Sequence, residues 1–340
     1  MSWSVLGLVL CGVAAASAAA FAAVPAGITT SQDNNVIRIE TPELSATVRK
    51  ADYVTGVAGG SLLDRKTGFR DVGFGLDIVD WIMEPGSDKA YRDKLDKELV
   101  YNYDNSYHGK RAKRSIEGPQ ICTQVPRLKP ELIVGADFAA VRQSYRYTTA
   151  APGKKTGSKW TQVMVFPKGK RYFLSMDRID AVNDSDAMFL RLDMPGHIKH
   201  NKGDTFSEIY LSYHGTIPAK EFLADFMPEE KFHYLRERDK APERFIRAYR
   251  VRDLKTGKAG PWLAGMTLEP SVVYEAWCHQ RGYVCMIEEF GGRPIKAGQS
   301  FSAAFVVGWF DSVEEMHQVY DQYKGHTGLV VTKDGWRLTK

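Results

Sequence analysis

Apolar and polar residues alternate along most of the chain beyond residue 36. An alternation with period two is typical of β-strands that bury one face and expose the other. Turns rich in Gly, Pro, Asn and Asp separate the alternating runs. The pattern predicts strands at residues 36–39, 45–49, 54–63, 73–81, 139–149, 158–166, 208–213, 245–254, 261–268, 272–280, 283–290 and 301–310.

A clear helical period occurs at residues 312–323. Ser312 and Glu315 have the spacing of a capping box, in which both side chains accept backbone hydrogen bonds at a helix start. Many strands and few helices indicate an all-β fold. We therefore predict a large antiparallel β-sandwich with a short C-terminal α-helix, as one domain over residues 36–324 with a tail at 325–340.

Two β-rich runs, residues 172–182 and 187–194, flank the sequence Asn-Asp-Ser-Asp. These short polar side chains favour turns, so the stretch predicts a long antiparallel hairpin. A Pro-Gly pair follows and would place His197 and Lys199 at the rim of a sheet. Rim loops held by a rigid scaffold often carry binding or catalytic residues, which makes both residues candidates.

The N-terminal segment, residues 1–23, has a short apolar run followed by an Ala-rich stretch with a small-residue cleavage site. This arrangement is typical of a secretory signal peptide, and the apolar run is short for a membrane span. We expect a secreted or periplasmic protein without stable membrane insertion after cleavage. An uncleaved membrane anchor is the alternative.

Charge and composition are those of an ordinary globular protein. The chain has 340 residues, of which 26% are charged, and its net charge is +5. A balance this mild suits a solvated surface, and it favours an acidic partner only where the charge is concentrated. The sequence contains no phosphate-binding loop and no nucleic-acid-binding pattern, so we expect no nucleic-acid partner.

Three cysteines follow the N-terminal segment: Cys122, Cys278 and Cys285. If Arg281 and Gly282 form a two-residue turn, Cys278 lies opposite Cys285, and a cross-strand disulfide could form in an oxidising compartment. Two buried free thiols are an equal alternative. No C-x-x-C pair occurs, and neither a metal nor a cofactor is expected.

The same predicted hairpin, residues 272–290, presents a possible sugar-binding face. Period-two geometry places Glu275, Trp277, His279 and Glu288 on one side of it. An indole ring with two carboxylates and an imidazole suits a sugar, because the apolar faces of a pyranose stack on aromatic rings. A solvated sheet face with a packed Trp is the alternative.

Other candidates come from strand ends and loops. The triplet Tyr-His-Gly occurs twice, and it contributes Tyr213 and His214 at a strand end and Tyr107 and His108 in a long irregular segment. Imidazole and phenol groups suit proton transfer. The most basic predicted strand contains Arg250, a candidate for neutralising a substrate carboxylate.

Three motifs together resemble the galactose mutarotase-like β-supersandwich superfamily. They are residues 46–68 (ATVRKADYVTGVAGGSLLDRKTG) with a D-x-x-T-G turn, the predicted hairpin with His197 at its rim, and the closing x-x-G-x-x-F strand at 296–309. The superfamily includes aldose epimerases, polysaccharide lyase domains and non-catalytic carbohydrate modules. The resemblance implies a β-supersandwich fold, a carbohydrate partner and a sugar site at His197.

These features suggest an exported lyase that cleaves an acidic, uronate-containing polysaccharide by β-elimination. Such a reaction needs a base, an acid and a cation for the substrate carboxylate. An aldose 1-epimerase-like isomerase and a non-catalytic glycan-binding envelope protein are the alternatives. For the lyase we assign proton transfer to His197, His214, His108, Tyr107 and His279, and substrate binding to Glu275, Trp277, Glu288, Arg250, Tyr213 and Lys199. We expect the histidines to converge in one cleft.

Overall fold

A computed structural model describes residues 27–89, 97, 99, 112–228 and 231–340. The predicted signal peptide lies outside these residues. The described helices are α1 (Ile121–Gln124), α2 (Val313–Tyr323) and two 3₁₀ helices at Ala219–Phe222 and Pro270–Val272. With four and eleven residues, α1 and α2 are too short to cross a membrane.

Strands make up most of the described chain. They are β1 (Thr29–Gln32), β2 (Val36–Glu40), β3 (Leu44–Arg49), β4 (Val57–Ala58), β5 (Leu63–Asp64), β6 (Gly75–Leu76), β7 (Ile78–Pro85), β8 (Lys113–Gly118), β9 (Glu131–Val134), β10 (Phe138–Arg146), β11 (Thr149–Ala150), β12 (Lys159–Pro167), β13 (Tyr172–Asp180), β14 (Ser185–Asp193), β15 (Phe206–Leu211), β16 (Gly215–Pro218), β17 (His233–Leu235), β18 (Phe245–Arg252), β19 (Ala259–Thr267), β20 (Val273–Gln280), β21 (Val284–Ile295), β22 (Ser300–Phe310), β23 (Gly328–Thr332) and β24 (Gly335–Thr339).

Two large antiparallel sheets pack face to face. One has nine strands in the order β16-β15-β18-β19-β22-β13-β12-β10-β9, and the other has seven in the order β11-β8-β7-β14-β21-β20-β17. The main core lies between them, where Trp160 and Phe305 of the first sheet join Leu190 and Met286 of the second. The predicted all-β antiparallel sandwich is therefore confirmed.

The predicted hairpin over residues 172–194 is wrong. Strand β13 lies between β12 and β22 in the nine-stranded sheet, whereas β14 lies between β7 and β21 in the seven-stranded sheet. The Asn-Asp-Ser-Asp segment crosses from one sheet to the other. Asn183 and Asp184 bond to distant groups: Asn183 Nδ2 donates to Glu117 Oε1 at 2.8 Å, and Asp184 Oδ2 accepts from Lys296 Nζ at 3.0 Å.

The outer face of the nine-stranded sheet is apolar and is covered by α2 and the β23–β24 hairpin. Met316 and Tyr320 of the helix and Leu329 and Val331 of the hairpin pack on it. The predicted N-cap starts α2, since Ser312 Oγ accepts the Glu315 N–H at 3.2 Å. The returning bond of the predicted capping box is displaced by one residue: Glu315 Oε2 accepts the N–H of Asp311, the residue before the cap, at 2.6 Å.

The outer face of the seven-stranded sheet carries charges although it is also largely buried. Its residues alternate along the strands with core residues such as Leu190, Leu192 and Cys278. We call this surface the charged face. It comprises Asp80, Lys113, Arg191, Asp193, Glu275, Trp277, His279 and Glu289.

The β20–β21 hairpin has a three-residue loop, with Gly282 at φ +75°, instead of the predicted two-residue turn. The extra residue shifts the register by one, so Glu275 pairs with Glu289 and His279 with Cys285. Glu288 therefore points into the core, and its placement on the sugar-binding face was wrong. The shift also puts Cys278 and Cys285 on opposite faces, and both thiols are free.

Candidate functional site

A cavity of about 350 Å³ opens where the charged face meets the end of the sandwich. Strands β7, β14, β20 and β21 supply its floor, and the loop before β4, the segment before β6 and helix α1 supply its walls. We call it the His–Asp cavity. It is lined by Tyr53, Phe74, Asp80, Gln120, Cys122, Thr123, Asp193, His197, His279, Arg281, Tyr283, Cys285 and Ile287.

A β-bulge directs Asp80 into this cavity. Leu192 of β14 pairs with Val79 and Leu190 with Ile82, so β7 has one residue more than β14 between these pairs. An extra residue in one strand re-aims the side chains beside it, and bulges of this kind are frequent near active sites. The Asp80 carboxyl accepts a hydrogen bond from the Gln120 side chain.

Asp193 and His197 form a second pair in the cavity. Asp193 is the last residue of β14, and its Oδ1 lies 3.2 Å from His197 Nε2. The intervening turn requires Gly196, because a Cβ there would lie 1.8 Å from the Gly75 carbonyl oxygen. His197 Nδ1 accepts the Met286 N–H at 3.0 Å. This bond fixes the imidazole as the tautomer that carries its proton on Nε2.

Tyr53 reaches the cavity on a backbone with unusual dihedral angles. Asp52, Tyr53 and Thr55 have φ values of 53°, 49° and 79°, and a positive φ is rare for a β-branched residue. Thr55 Oγ1 accepts the Val79 N–H at 2.9 Å, which ties this loop to the start of the bulged strand. Backbone strain of this kind is found preferentially at functional sites.

The two cavity carboxyl groups keep their protons more strongly than ordinary aspartates. Burial raises the pKa of Asp80 to about 7, against the opposing charge of Arg191. Burial, and then the charge of Asp80, raise the pKa of Asp193 well above its usual range. Burial and the nearby Arg281 lower the pKa of His197 to about 3, so its imidazole is neutral at physiological pH.

Aromatic side chains form the mouth of the cavity. Phe74 is 37% exposed, and its ring meets Tyr283 edge-on with 5.0 Å between centroids. The Lys199 ammonium lies 4.3 Å from the Phe74 ring centroid. Arg281, at the tip of the β20–β21 hairpin, donates from Nε to Tyr283 Oη at 3.3 Å. The mouth thus presents apolar ring surface beside two cationic groups.

Of the residues singled out in the sequence, His197 and His279 line this cavity and Lys199 lies at its mouth. Glu275 and Trp277 share the charged face with His279 but are fully buried away from the cavity. Glu288 lies on the inner side of the sheet, where its Oε1 accepts the Thr267 hydroxyl at 2.5 Å.

The other predicted residues lie elsewhere. Tyr213 and His214 line a second cavity of about 400 Å³, so the predicted convergence of the histidines is wrong for His214. Arg250 belongs to the outer side of the nine-stranded sheet, where its guanidinium lies over Trp262. Tyr107 and His108 lie outside the described residues. Within the described ranges, no three His, Cys, Asp or Glu side chains are grouped to hold a metal ion.

Sequence reasoning missed Asp80, Asp193, Tyr53 and Arg281. Asp193 had a usable signal, since it lies at the last but one position of a predicted strand, four residues before a candidate histidine. Tyr53 also had one, because D-x-x-T-G occurs at 52–56 as well as at 64–68. Asp80 had none, because an alternating pattern does not reveal a bulge.

No protein-family model and no curated protein matches the chain. Solved structures that resemble this one include a TPR-domain-containing protein from Parabacteroides distasonis. It has 12% sequence identity and a TM-score of 0.44, and the match covers 82% of this chain and 47% of that one. Galactose 1-epimerase from Lactobacillus acidophilus has 7% identity and TM-score 0.44, over 85% of this chain and 100% of the other.

A galactose mutarotase related enzyme from the same organism has 12% identity and TM-score 0.37, over 85% of this chain and 99% of that one. The chain thus spans less than half of the TPR-domain protein but the full length of the galactose 1-epimerase. Galactose mutarotase-like proteins are therefore among the structures that this chain resembles.

Proposed function

We propose that the protein is a sugar-active enzyme of the aldose 1-epimerase type and that the His–Asp cavity is its active site. One observation carries the proposal: Asp80, Asp193 and the neutral imidazole of His197 share a cavity of about 350 Å³. This volume lies within the range of small-molecule sites. Interconversion of anomers needs an acid and a base at the anomeric centre, and the cavity offers both.

The carboxyl groups have different roles in this proposal. Asp80, with a pKa of about 7, is partly ionised at neutral pH and takes the proton of the anomeric hydroxyl. Asp193, whose pKa is raised further, gives its proton to the ring oxygen as the bond from that oxygen to the anomeric carbon breaks. The open-chain aldehyde rotates about its first C–C bond. Ring closure onto the other face returns both protons.

His197 acts as a hydrogen-bond donor in this scheme. Its Nδ1 is occupied by the Met286 N–H, so only the Nε2–H faces the cavity acid Asp193. A neutral imidazole in this tautomer can donate to Asp193 or to a sugar oxygen. Phe74 and Tyr283 supply ring surface on which the apolar face of a sugar can stack.

The β-elimination of a uronate polysaccharide has less support. That reaction needs a cation at the substrate carboxylate, and Arg250, the residue assigned to this role, lies on the opposite outer face of the sandwich. Arg281 lines the cavity and Lys199 lies at its mouth, but neither has a placement that identifies it as the partner of a substrate carboxylate.

Export remains part of the proposal and is supported by the sequence of residues 1–23 alone. A secreted or periplasmic enzyme would meet sugars released outside the cytoplasm. N-terminal sequencing of protein recovered from a periplasmic or culture-medium fraction checks this directly. A mature N-terminus far from residue 23, or retention in the cytoplasm, would contradict it.

The activity is tested by NMR with freshly dissolved α-anomers of an aldose panel and the full chain. We expect faster α–β interconversion than in buffer, and a loss of about 100-fold or more in Asp193→Asn and Asp80→Asn. Asp186→Asn is the matched control, because Asp186 is exposed on the same strand as Asp193. In parallel, uronate polysaccharides are followed by ultraviolet absorbance of an unsaturated product. No acceleration with any aldose would reject the epimerase, and an absorbance rise would favour the lyase.

A further inference from the structure

A line of buried charged side chains extends along the charged face away from the His–Asp cavity. His233 Nε2 lies 2.7 Å from Glu275 Oε1, and Glu275 Oε2 lies 2.6 Å from Lys113 Nζ. The same ammonium lies 2.8 Å from Glu289 Oε2. Glu289 Oε1 accepts from Arg191 at Nε (2.9 Å) and at Nη2 (2.6 Å). Each charge therefore has an opposite charge beside it.

Strand pairing builds this line directly. Arg191 of β14 pairs with Glu289 of β21, and Glu289 pairs with Glu275 of β20. All three residues and Lys113 are fully buried. Buried ion pairs are costly to desolvate and often add no net stability, so their presence here invites a functional explanation.

The line ends next to the cavity acids. Arg191 lies two residues before Asp193 on the same face of β14, and it stands across from the β7 bulge that contains Asp80. Neither Arg191 nor Glu289 lines the cavity itself. The ion pair is thus one step removed from the carboxyl groups to which chemistry has been assigned.

We propose that Arg191 and Glu289 are positioning residues of the proposed epimerase. Glu289 holds the Arg191 guanidinium opposite the bulge, and the pair thereby determines the electrostatic environment of Asp80. The inference rests on the proposed function only for its kinetic consequence. The two members of the pair act on Asp80 in opposite senses, since Arg191 lowers its pKa and Glu289 raises it. Both effects follow from Coulomb's law at short range in a buried site.

Other groups also face Asp80 and must stay unchanged in the test. They come from β14, from helix α1 and the residue before it, from the loop that carries Tyr53, and from the segment after β10. These groups are Asp193, Gln120, Cys122, Tyr53 and Tyr147.

The test compares Glu289→Gln with Arg191→Gln in the full chain. Removal of the negative charge in Glu289→Gln favours ionised Asp80, and removal of the positive charge in Arg191→Gln disfavours it. We expect the Asp80 carboxyl titration, followed by ¹³C NMR without substrate, to move by about one pH unit downward in the first variant and upward in the second. The acidic limb of the kcat/KM profile should move the same way.

Glu117→Gln is the matched control, because Glu117 is also a buried glutamate but bonds to Ser158 and Asn183. It should leave the Asp80 titration unchanged. If Arg191→Gln does not fold, Arg191→Lys replaces it. This variant keeps the positive charge and should leave the midpoint of the Asp80 titration at its wild-type pH, while Glu289→Gln still tests the direction of the shift.

Unchanged midpoints, or shifts in one direction for both charge-removing variants, would overturn the proposal. The NMR titration requires no turnover. Opposite shifts in an inactive protein would therefore support the positioning role and reject only the epimerase.

Discussion

The two outer faces of the sandwich are both buried, but they are built from opposite kinds of residue. The nine-stranded sheet presents apolar side chains, and Met316, Tyr320, Leu329 and Val331 cover them. The seven-stranded sheet presents Lys113, Arg191, Glu275 and Glu289, each fully buried. Burial of apolar surface stabilises a fold, whereas burial of charge costs free energy unless each ion is closely paired.

The difference separates stability from chemistry between the two outer faces of one sandwich. The apolar face needs no special geometry beyond packing, so its cover can be a helix and a hairpin. The charged face requires matched partners at short distances, and it leads into the cavity where Asp80 and Asp193 have raised pKa values. A change that unpairs one buried ion should therefore have a larger effect than a change at the covering helix.

The largest effect is expected from Lys113→Ala. Its removal leaves Glu275 and Glu289 facing each other across two strands without the shared ammonium. Loss of one partner from a buried ion cluster typically destabilises a protein by about 3–5 kcal/mol. Urea unfolding monitored by Trp fluorescence should show a reduction of this size in the free energy of unfolding.

Lys66→Ala is the control for this comparison. Lys66 is more than half exposed and pairs with Asp311 at 2.5 Å on the surface, so its loss should cost less than about 1 kcal/mol. Equal effects from the two lysines would mean that the charged face is not held by its ion pairs.

The nine-stranded sheet and the helix on its apolar outer face could largely be predicted from the sequence. Period-two alternation identified most strands of the nine-stranded sheet, and the spacing of Ser312 and Glu315 identified the start of α2. The partner of each strand was not accessible. Strand β13 is buried on nearly its whole length, as is the second half of β14, and such runs fit a hairpin as well as two separate layers.

The charged side was harder to predict because single-residue irregularities decide it. The bulge at Asp80 and the three-residue loop at Arg281 each shift one residue relative to regular pairing. A shift of one residue moves a side chain to the other face of a sheet. The shift at the β20–β21 loop places Glu289 on the charged face, where Glu288 was predicted, and it places Glu288 in the core.

The variant Glu288→Gln tests how a buried carboxyl group on the inner side of the seven-stranded sheet makes stability depend on pH. Among the described residues Glu288 has no ion pair like that of Glu289, and burial raises its pKa from 4.5 to about 7. In the unfolded chain it ionises near its ordinary pKa, so the native protein loses stability as pH rises from about 4.5 to 7. Gln mimics the protonated acid, and the variant should gain about 3 kcal/mol relative to wild type between pH 4 and pH 8.

Urea unfolding at several pH values measures this gain. Glu131→Gln is the control, since Glu131 is exposed and pairs with Arg142 at the surface. Its difference from wild type should stay nearly constant over the same range. A flat difference for Glu288→Gln as well would show that Glu288 is ionised at little cost in the core.

The smallest effect is expected from Ser312→Ala, on the apolar side. Its hydroxyl accepts the Glu315 N–H at the start of α2, and loss of such a cap costs about 1 kcal/mol, or about 2 °C in Tm for a protein of this size. Ser312→Asp should keep most of that stability, because a carboxylate also caps a helix N-terminus. Neither variant should change the pH dependence of turnover, since α2 covers the nine-stranded sheet and the His–Asp cavity lies on the other outer face. A shifted pH profile in Ser312→Ala would mean that the two outer faces are coupled through the core and do not act separately.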